Sequence, residues 1–137
     1  MTTEANKAVY RDFIETVFNQ GRFDRLGELL DPTYTIVDAP PGSPPGAEGV
    51  KAVVTMFRGA FPDLQITLDE VIAEGDSVAA RSTLRGSHRG PIFGIEPTGK
   101  AVAMVSLTFV HVRDGRLTDS LVKNDVASLM RQLGAGT

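Results

Sequence analysis

The chain has 137 residues, 42% of them hydrophobic and 23% charged, with a net charge of −3 and no cysteine. That length suits one domain over 1–137 with a single core, and the lack of thiols excludes disulfides, cysteine nucleophiles and Cys-ligated metals. No Lys/Arg run offers the clustered cations that nucleic acid requires, and two distant histidines do not suggest a metal site.

The first segment, MTTEANKAVYRDF, is polar and charged, unlike a signal peptide, and no apolar stretch approaches the length of a membrane span. These features fit a cytoplasmic protein without membrane contacts. Val9, Tyr10, Phe13, Ile14, Val17 and Phe18 fall at helical spacing, and Gly21 is placed to end that helix. A short second helix is predicted from Phe23 to Leu30, closed by Asp31-Pro32, and TYTIVD predicts a strand from Tyr34 to Asp38. The proline-rich APPGSPPGAEG is a loop.

Val50, Val53, Val54, Phe57 and Phe61 form the stripe of a third helix that Pro62 ends. From there the chain is mostly strand: LQITLDEVIA, SVAARSTLRG, AVAMVSLTFVHV and RLTDSLVKN, separated by Gly-Asp, a long Gly/Pro loop and Asp-Gly. DVASLMRQLG predicts a closing helix with Asp125 as N-cap and Gly134 as its stop. Helices first and strands after argue for an α+β domain, a curved antiparallel sheet with helices over its concave face. The space between the two layers predicts an apolar pocket with a few polar groups.

Taken together, the words Phe-Pro-Asp-Leu, Glu-Gly-Asp, Gly-Ser-His-Arg-Gly, Pro-Thr-Gly-Lys and Gln-Leu-Gly resemble the SnoaL-like polyketide cyclases of the nuclear transport factor 2-like superfamily. The resemblance covers nearly the whole chain. It implies a cone-shaped fold, a homodimer formed through the sheet, and a cofactor-free pocket for a small apolar, polyketide-like ligand. It also implies an intramolecular aldol ring closure in which an aspartate moves protons beside a histidine. Aligned on the Asp-Gly hairpin and the Gln-Leu-Gly end, the aspartate position falls on Val122 and the histidine position on Thr108. A further family histidine position falls on Val37. None of these three residues exchanges a proton at neutral pH.

The residues that remain give a candidate site. A two-residue turn at Asp114-Gly115 pairs Arg113 with Arg116, whereas a three-residue turn pairs Val112 with Arg116. The second is expected because it avoids facing arginines. It sets Met104, Ser106, Thr108 and Val110 beside Thr118, Ser120, Val122 and Asn124 on one face, a row of hydroxyls among apolar groups.

His88 is the acid/base candidate, with Asp38 or Tyr34 as its helper, and His111 reads as solvated. Phe57, Phe61, Phe93 and Met104 are candidate pocket walls, with Phe93 capping the ligand from the Gly/Pro loop. Three functions stay open: an enzyme that promotes cyclisation, isomerisation or hydration; a non-catalytic ligand-binding protein; and an interaction module using the outer face of Val105, Leu107, Phe109 and Leu121.

Overall fold

A computed structural model describes residues 2–134. Helix α1 (Thr3–Phe13) begins where Thr2 Oγ1 accepts the Ala5 amide at 3.0 Å, which satisfies one free donor of the first turn. It runs directly into a π-helical turn, Ile14–Asn19. Neighbours fix that turn from both sides. Arg58 Nη1 donates to the carbonyls of Phe18 and Asn19, at 3.0 and 2.9 Å. The Asn19 side-chain amide exchanges two hydrogen bonds with the Ile66 backbone, at 2.7 and 3.0 Å.

Two elements differ from expectation in their bounds. Helix α2 covers only Leu26–Leu29, and β1 already starts at Leu30 and ends at Ile36, so Asp38 lies beyond the strand. Asp31-Pro32 therefore opens a strand instead of closing a helix. Pro32 is tolerated because β1 is an edge strand. Asp31 Oδ1 meanwhile accepts the amide and hydroxyl of Thr33, at 2.9 and 2.6 Å, which bends the chain into the strand.

The remaining elements are α3 (Gly46–Ala60), β2 (Gln65–Glu74), β3 (Ser77–Ser87), β4 (Ala101–Arg113), β5 (Arg116–Asn124) and α4 (Val126–Gln132). One sheet has the order β1-β5-β4-β3-β2, parallel at β1–β5 and antiparallel elsewhere. Buried and exposed residues alternate without a break along β4, so one face packs under the helices and the other does not. One core cluster joins α1, the π turn, β1 and α3 to the sheet through Val17, Val54, Val110 and Leu117. A second joins the end of α3 to α4 through Phe61, Leu84, Leu129 and Leu133.

The Gln-Leu-Gly end has a specific role. Pairing of β4 with β5 stops at Ser106↔Asn124, leaving the start of β4 without that partner. The Gln132 amide takes its place, donating to the Ala103 carbonyl at 2.7 Å and accepting the Ala103 amide at 2.9 Å. Asp125 caps α4 by accepting the Ser128 amide at 3.0 Å, and Gly134 follows at φ 84.

The β4–β5 hairpin corrects the sequence reading. Arg113 pairs with Arg116, and Asp114 and Gly115 both have positive φ (52 and 77), so the turn has two residues. The arginines are exposed, and the Asp31 carboxylate, held low mainly by Thr33, is lowered further by Arg116 and Arg113. Both guanidinium groups stand in water, which screens their repulsion. Register then shifts between Val112↔Leu117 and His111↔Asp119, leaving Thr118 as the extra residue of a bulge. Thr118 is thus off the inner face, while Ser120, Val122 and Asn124 lie on it, with Thr108 directly opposite Val122.

The outer face carries large exposed apolar groups: Ile72 and Phe109, each 59% exposed, with Leu107 and Val105.

Candidate functional site

A cavity of about 170 Å³ lies between the sheet and the helices. The helices supply Tyr10 and Phe13 from one side, continued by Ile14 of the π turn, and Val50, Val53 and Phe57 from the other. The sheet supplies Leu84, Met104 and Ile66, and a hydroxyl series of Ser82, Ser106, Thr108 and Ser120. The π turn contributes Phe18, and β1 contributes Tyr34 and Ile36. Among the described residues, the lining contains no carboxylate, imidazole, ammonium or guanidinium group, and its only titratable groups are the phenols of Tyr10 and Tyr34. Val122 and Asn124 are lining residues that are also exposed, and so mark the mouth. Ser106 donates a short hydrogen bond to Asn124 Oδ1, which orients that amide at the rim.

Of the residues singled out from the sequence, Tyr34, Phe57, Met104, Ser106, Thr108, Ser120, Val122 and Asn124 line the cavity. Asp38 does not. It sits at φ 59 with a largely exposed carboxylate, 3.0 Å from Lys123 Nζ. Phe61 is fully buried in the second core cluster, with its ring 5.9 Å from that of His88. Phe93 occupies the tip of a miniature hairpin in which Ile92 and Ile95 exchange backbone hydrogen bonds at 3.1 and 2.8 Å. Its ring meets Phe57 edge-on from outside the cavity, at 6.5 Å and 80°. His111 is exposed and paired with Asp119 at 2.8 Å.

His88 is fully buried, away from the cavity lining. Its Nδ1 accepts the Thr98 amide at 3.1 Å and lies 3.0 Å from the Thr98 hydroxyl. Its backbone amide donates to Lys100 O, and the Gly99 amide donates back to His88 O. The Gly-Ser-His-Arg-Gly and Pro-Thr-Gly-Lys words are therefore the two halves of one clasp that closes the long loop. Since Nδ1 accepts from an amide, the proton of the neutral ring sits on Nε2, an atom with no hydrogen-bond partner among the described residues.

Tyr10 was read from the sequence only as part of a helical apolar stripe. Its polar tip was the one signal that it does more, since buried phenols usually seek a partner. Burial pushes its pKa up to about 12; the nearby Thr108 hydroxyl pulls the other way, and the phenol of Tyr34 adds to the rise. Tyr34 is raised too, by burial first, with Ser120 opposing. Both are therefore proton donors at neutral pH.

The rise at Tyr10 has a measurable sign. Above about pH 10 the unfolded chain ionises this phenol while the folded chain keeps it neutral, so stability falls until about pH 12. The loss assigned to this group is roughly 2–3 kcal/mol. In urea unfolding from pH 9 to 12, Tyr10→Phe should show a correspondingly shallower decline than the unmodified chain.

Comparison with known proteins adds the following. The family model described as SnoaL-like polyketide cyclase matches residues 8–133. Aklanonic acid methyl ester cyclase DnrD of Streptomyces peucetius is 29% identical over 121 residues, covering 85% of this chain and 83% of that protein. Nogalonic acid methyl ester cyclase of Streptomyces nogalater is 29% identical over 122 residues, covering 87% and 90%. The solved structure of TsrD from Streptomyces laurentii superposes with a TM-score of 0.88 at 29% identity, covering 98% of each chain.

Proposed function

Since the chain belongs to the SnoaL-like polyketide cyclase family, we propose that it closes a ring in a neutral, polyketide-like small molecule, without a cofactor, inside the cavity between sheet and helices. The observation that carries this reading is the lining itself: apolar walls, one series of hydroxyls, and no ionised group. Burying an unpaired charge there would cost several kcal/mol, so the substrate is uncharged where it is enclosed. The named relatives, two cyclases of methyl esters, support a substrate whose acid is masked.

The chemistry must then work without a carboxylate or imidazole at the positions of Val122 and Thr108. A substrate carbon flanked by two carbonyls is already partly enolised, which removes the need for a strong base. The enol carbon attacks the ketone carbon to form the new C–C bond. The enol O–H proton passes to the new alkoxide oxygen, so mass and charge are conserved. The Tyr34 hydroxyl is suited to pass that proton, accepting one while donating another. The apolar walls fold the chain into an attack geometry, an effect that alone is worth several kcal/mol of barrier.

The cavity is smaller than the roughly 300–1,000 Å³ of typical small-molecule sites. A polycyclic substrate therefore extends past Val122 into solvent, with its reacting part inside.

The test is to incubate the protein with a neutral 1,3-dicarbonyl methyl ester carried on an aromatic ring, following ring closure by chromatography and unchanged mass. Accelerated closure that is lost in Met104→Trp, which fills the cavity from a fully buried position, supports the proposal. The missing carboxylate and imidazole favour one other reading, a binding protein. Tight binding with closure no faster than in buffer would establish that reading instead.

For the exposed outer face of Ile72, Leu107 and Phe109 we propose a second copy of the chain as cover, since apolar patches of this kind mark contact surfaces. Mass measured across a concentration series checks it, and a monomer at every concentration would remove it.

A further inference from the structure

Three buried polar atoms have no hydrogen-bond partner among the described residues: Asn6 Oδ1, His88 Nε2 and Ser120 Oγ. Asn6 still donates to Gly75 O at 3.1 Å, and His88 is held through its other nitrogen. Neither lines the cavity. Ser120 does, at 5% exposure, and its hydroxyl has no partner of good hydrogen-bond geometry among the described residues, although the Tyr34 phenol stands close to it. Buried hydroxyls are normally satisfied, so this one is set up for a group from outside the chain.

It does not stand alone. Thr108 and Ser120 are diagonal neighbours on the inner face, because Thr108 pairs with Val122 and Ser120 with Val110. A phenol stands beside each: Tyr10 from α1 near Thr108, and Tyr34 from β1 near Ser120. All four groups line the cavity, and each is less than a tenth exposed. The Thr108 hydroxyl stands within hydrogen-bonding influence of Tyr10 and the Ser120 hydroxyl within that of Tyr34, so each phenol meets a neutral partner that can yield to a ligand oxygen. At the mouth, by contrast, Ser106 and Asn124 are already bonded to each other.

We infer that Tyr10, Tyr34 and Ser120 form a recognition point, at the inner end of the cavity, for the carbonyl or enol oxygens of an uncharged ligand. This rests on the proposed use of the cavity and gives it a direction: the oxygen-rich end of the molecule goes in first and the apolar remainder fills the space toward Val122. Tyr10 is a new member of the site. The ligand class follows from the groups present. Phenols that hold their protons donate, so they match acceptor oxygens. A carboxylate is refused because no cation faces it, and an ammonium because no anion does.

The probe is 1,8-dihydroxyanthraquinone, a flat neutral hydroxy-ketone, with anthraquinone-2-carboxylate as its charged counterpart. Affinity is read by titration, and the quinone carbonyl stretch by difference infrared spectroscopy, which drops when a donor bonds that oxygen. The neutral probe should bind at least tenfold more tightly than the carboxylate. Tyr10→Phe and Tyr34→Phe should each weaken it roughly 5- to 10-fold, about the worth of one hydrogen bond, and return the carbonyl stretch toward its free value. Ser120→Ala should do so less. Unchanged thermal melting of the phenylalanine variants shows that the fold is intact.

If the neutral probe binds and both phenylalanine variants keep its affinity and carbonyl shift, the recognition point is wrong while the cavity reading stands. Equal affinity for the carboxylate also overturns it. If the unmodified protein binds neither probe, the proposed use of the cavity fails and takes the recognition point with it.

Discussion

Combining Thr108→His with Val122→Asp should raise the rate of ring closure by roughly 10²–10⁴-fold, the usual worth of a well-placed general acid or base. The two positions face each other across β4 and β5. Directly opposed residues on one face have Cβ atoms about 4.5–5.5 Å apart, so the new carboxylate and imidazole would lie within hydrogen-bond reach. Val122 is 42% exposed and can carry a charge, whereas Thr108 is buried and the larger ring will cost some stability. The check is kcat/KM for the 1,3-dicarbonyl ester against pH. The double variant should gain a pH dependence centred near the imidazole range, which neither single variant shows in full. A double variant that binds the ester normally but closes it no faster would mean that proton transfer does not limit this site.

The second large effect is structural. Gly90→Ala should destabilise the fold by about 3 kcal/mol, at the upper end of overpacking costs, and lower the melting temperature by about 10 °C. An added Cβ would stand 2.2 Å from the Gly59 carbonyl oxygen and 3.3 Å from the Ala60 Cα, backbone atoms with nowhere to go. The same short approach lets the Arg89 and Gly90 amides share the Ala60 carbonyl, at 2.9 and 3.1 Å, which fastens the long loop to the end of α3. Gly94→Ala is the control, because its Cβ would meet nothing within 4 Å, although φ 77 leaves it mildly strained. If Gly90→Ala melts with or above Gly94→Ala, the loop is not held by this contact.

How far the sequence could be read depended on how local each signal was. The apolar stripes of α1 and α3, the alternation of β4, and the cap at Asp125 are written in neighbouring residues, and the structure has them. The hairpin register was also local. Asp-Gly is a two-residue turn signal, and an argument from like charges displaced it although both arginines end in water, where their repulsion is screened.

The setting of His88 was illegible for want of a local signal. Its partner Thr98 lies across a loop whose path depends on contacts with α3, so nothing near the histidine showed that its Nδ1 was engaged by the loop. Tyr10 was hidden by the opposite effect: a residue that fits a core stripe gives no sign of which way its hydroxyl faces. The SnoaL-like words located the fold, and two of them meet in a loop clasp apart from the cavity lining.

The bulge at Thr118 bears on ligand charge. A strand has a reading frame of two, and from Ser120 onward the frame of β5 is set by that one extra residue. Were the same letters laid against β4 without the slip, Asp119, Leu121 and Lys123 would take the inward places of Ser120, Val122 and Asn124. A carboxylate and an ammonium would then stand where the lining is now neutral. The neutrality of this cavity is therefore a property of phase, not of composition. A relative with the same strand residues but a turn one residue longer or shorter could present a charged interior, and take a charged ligand, without a single substitution.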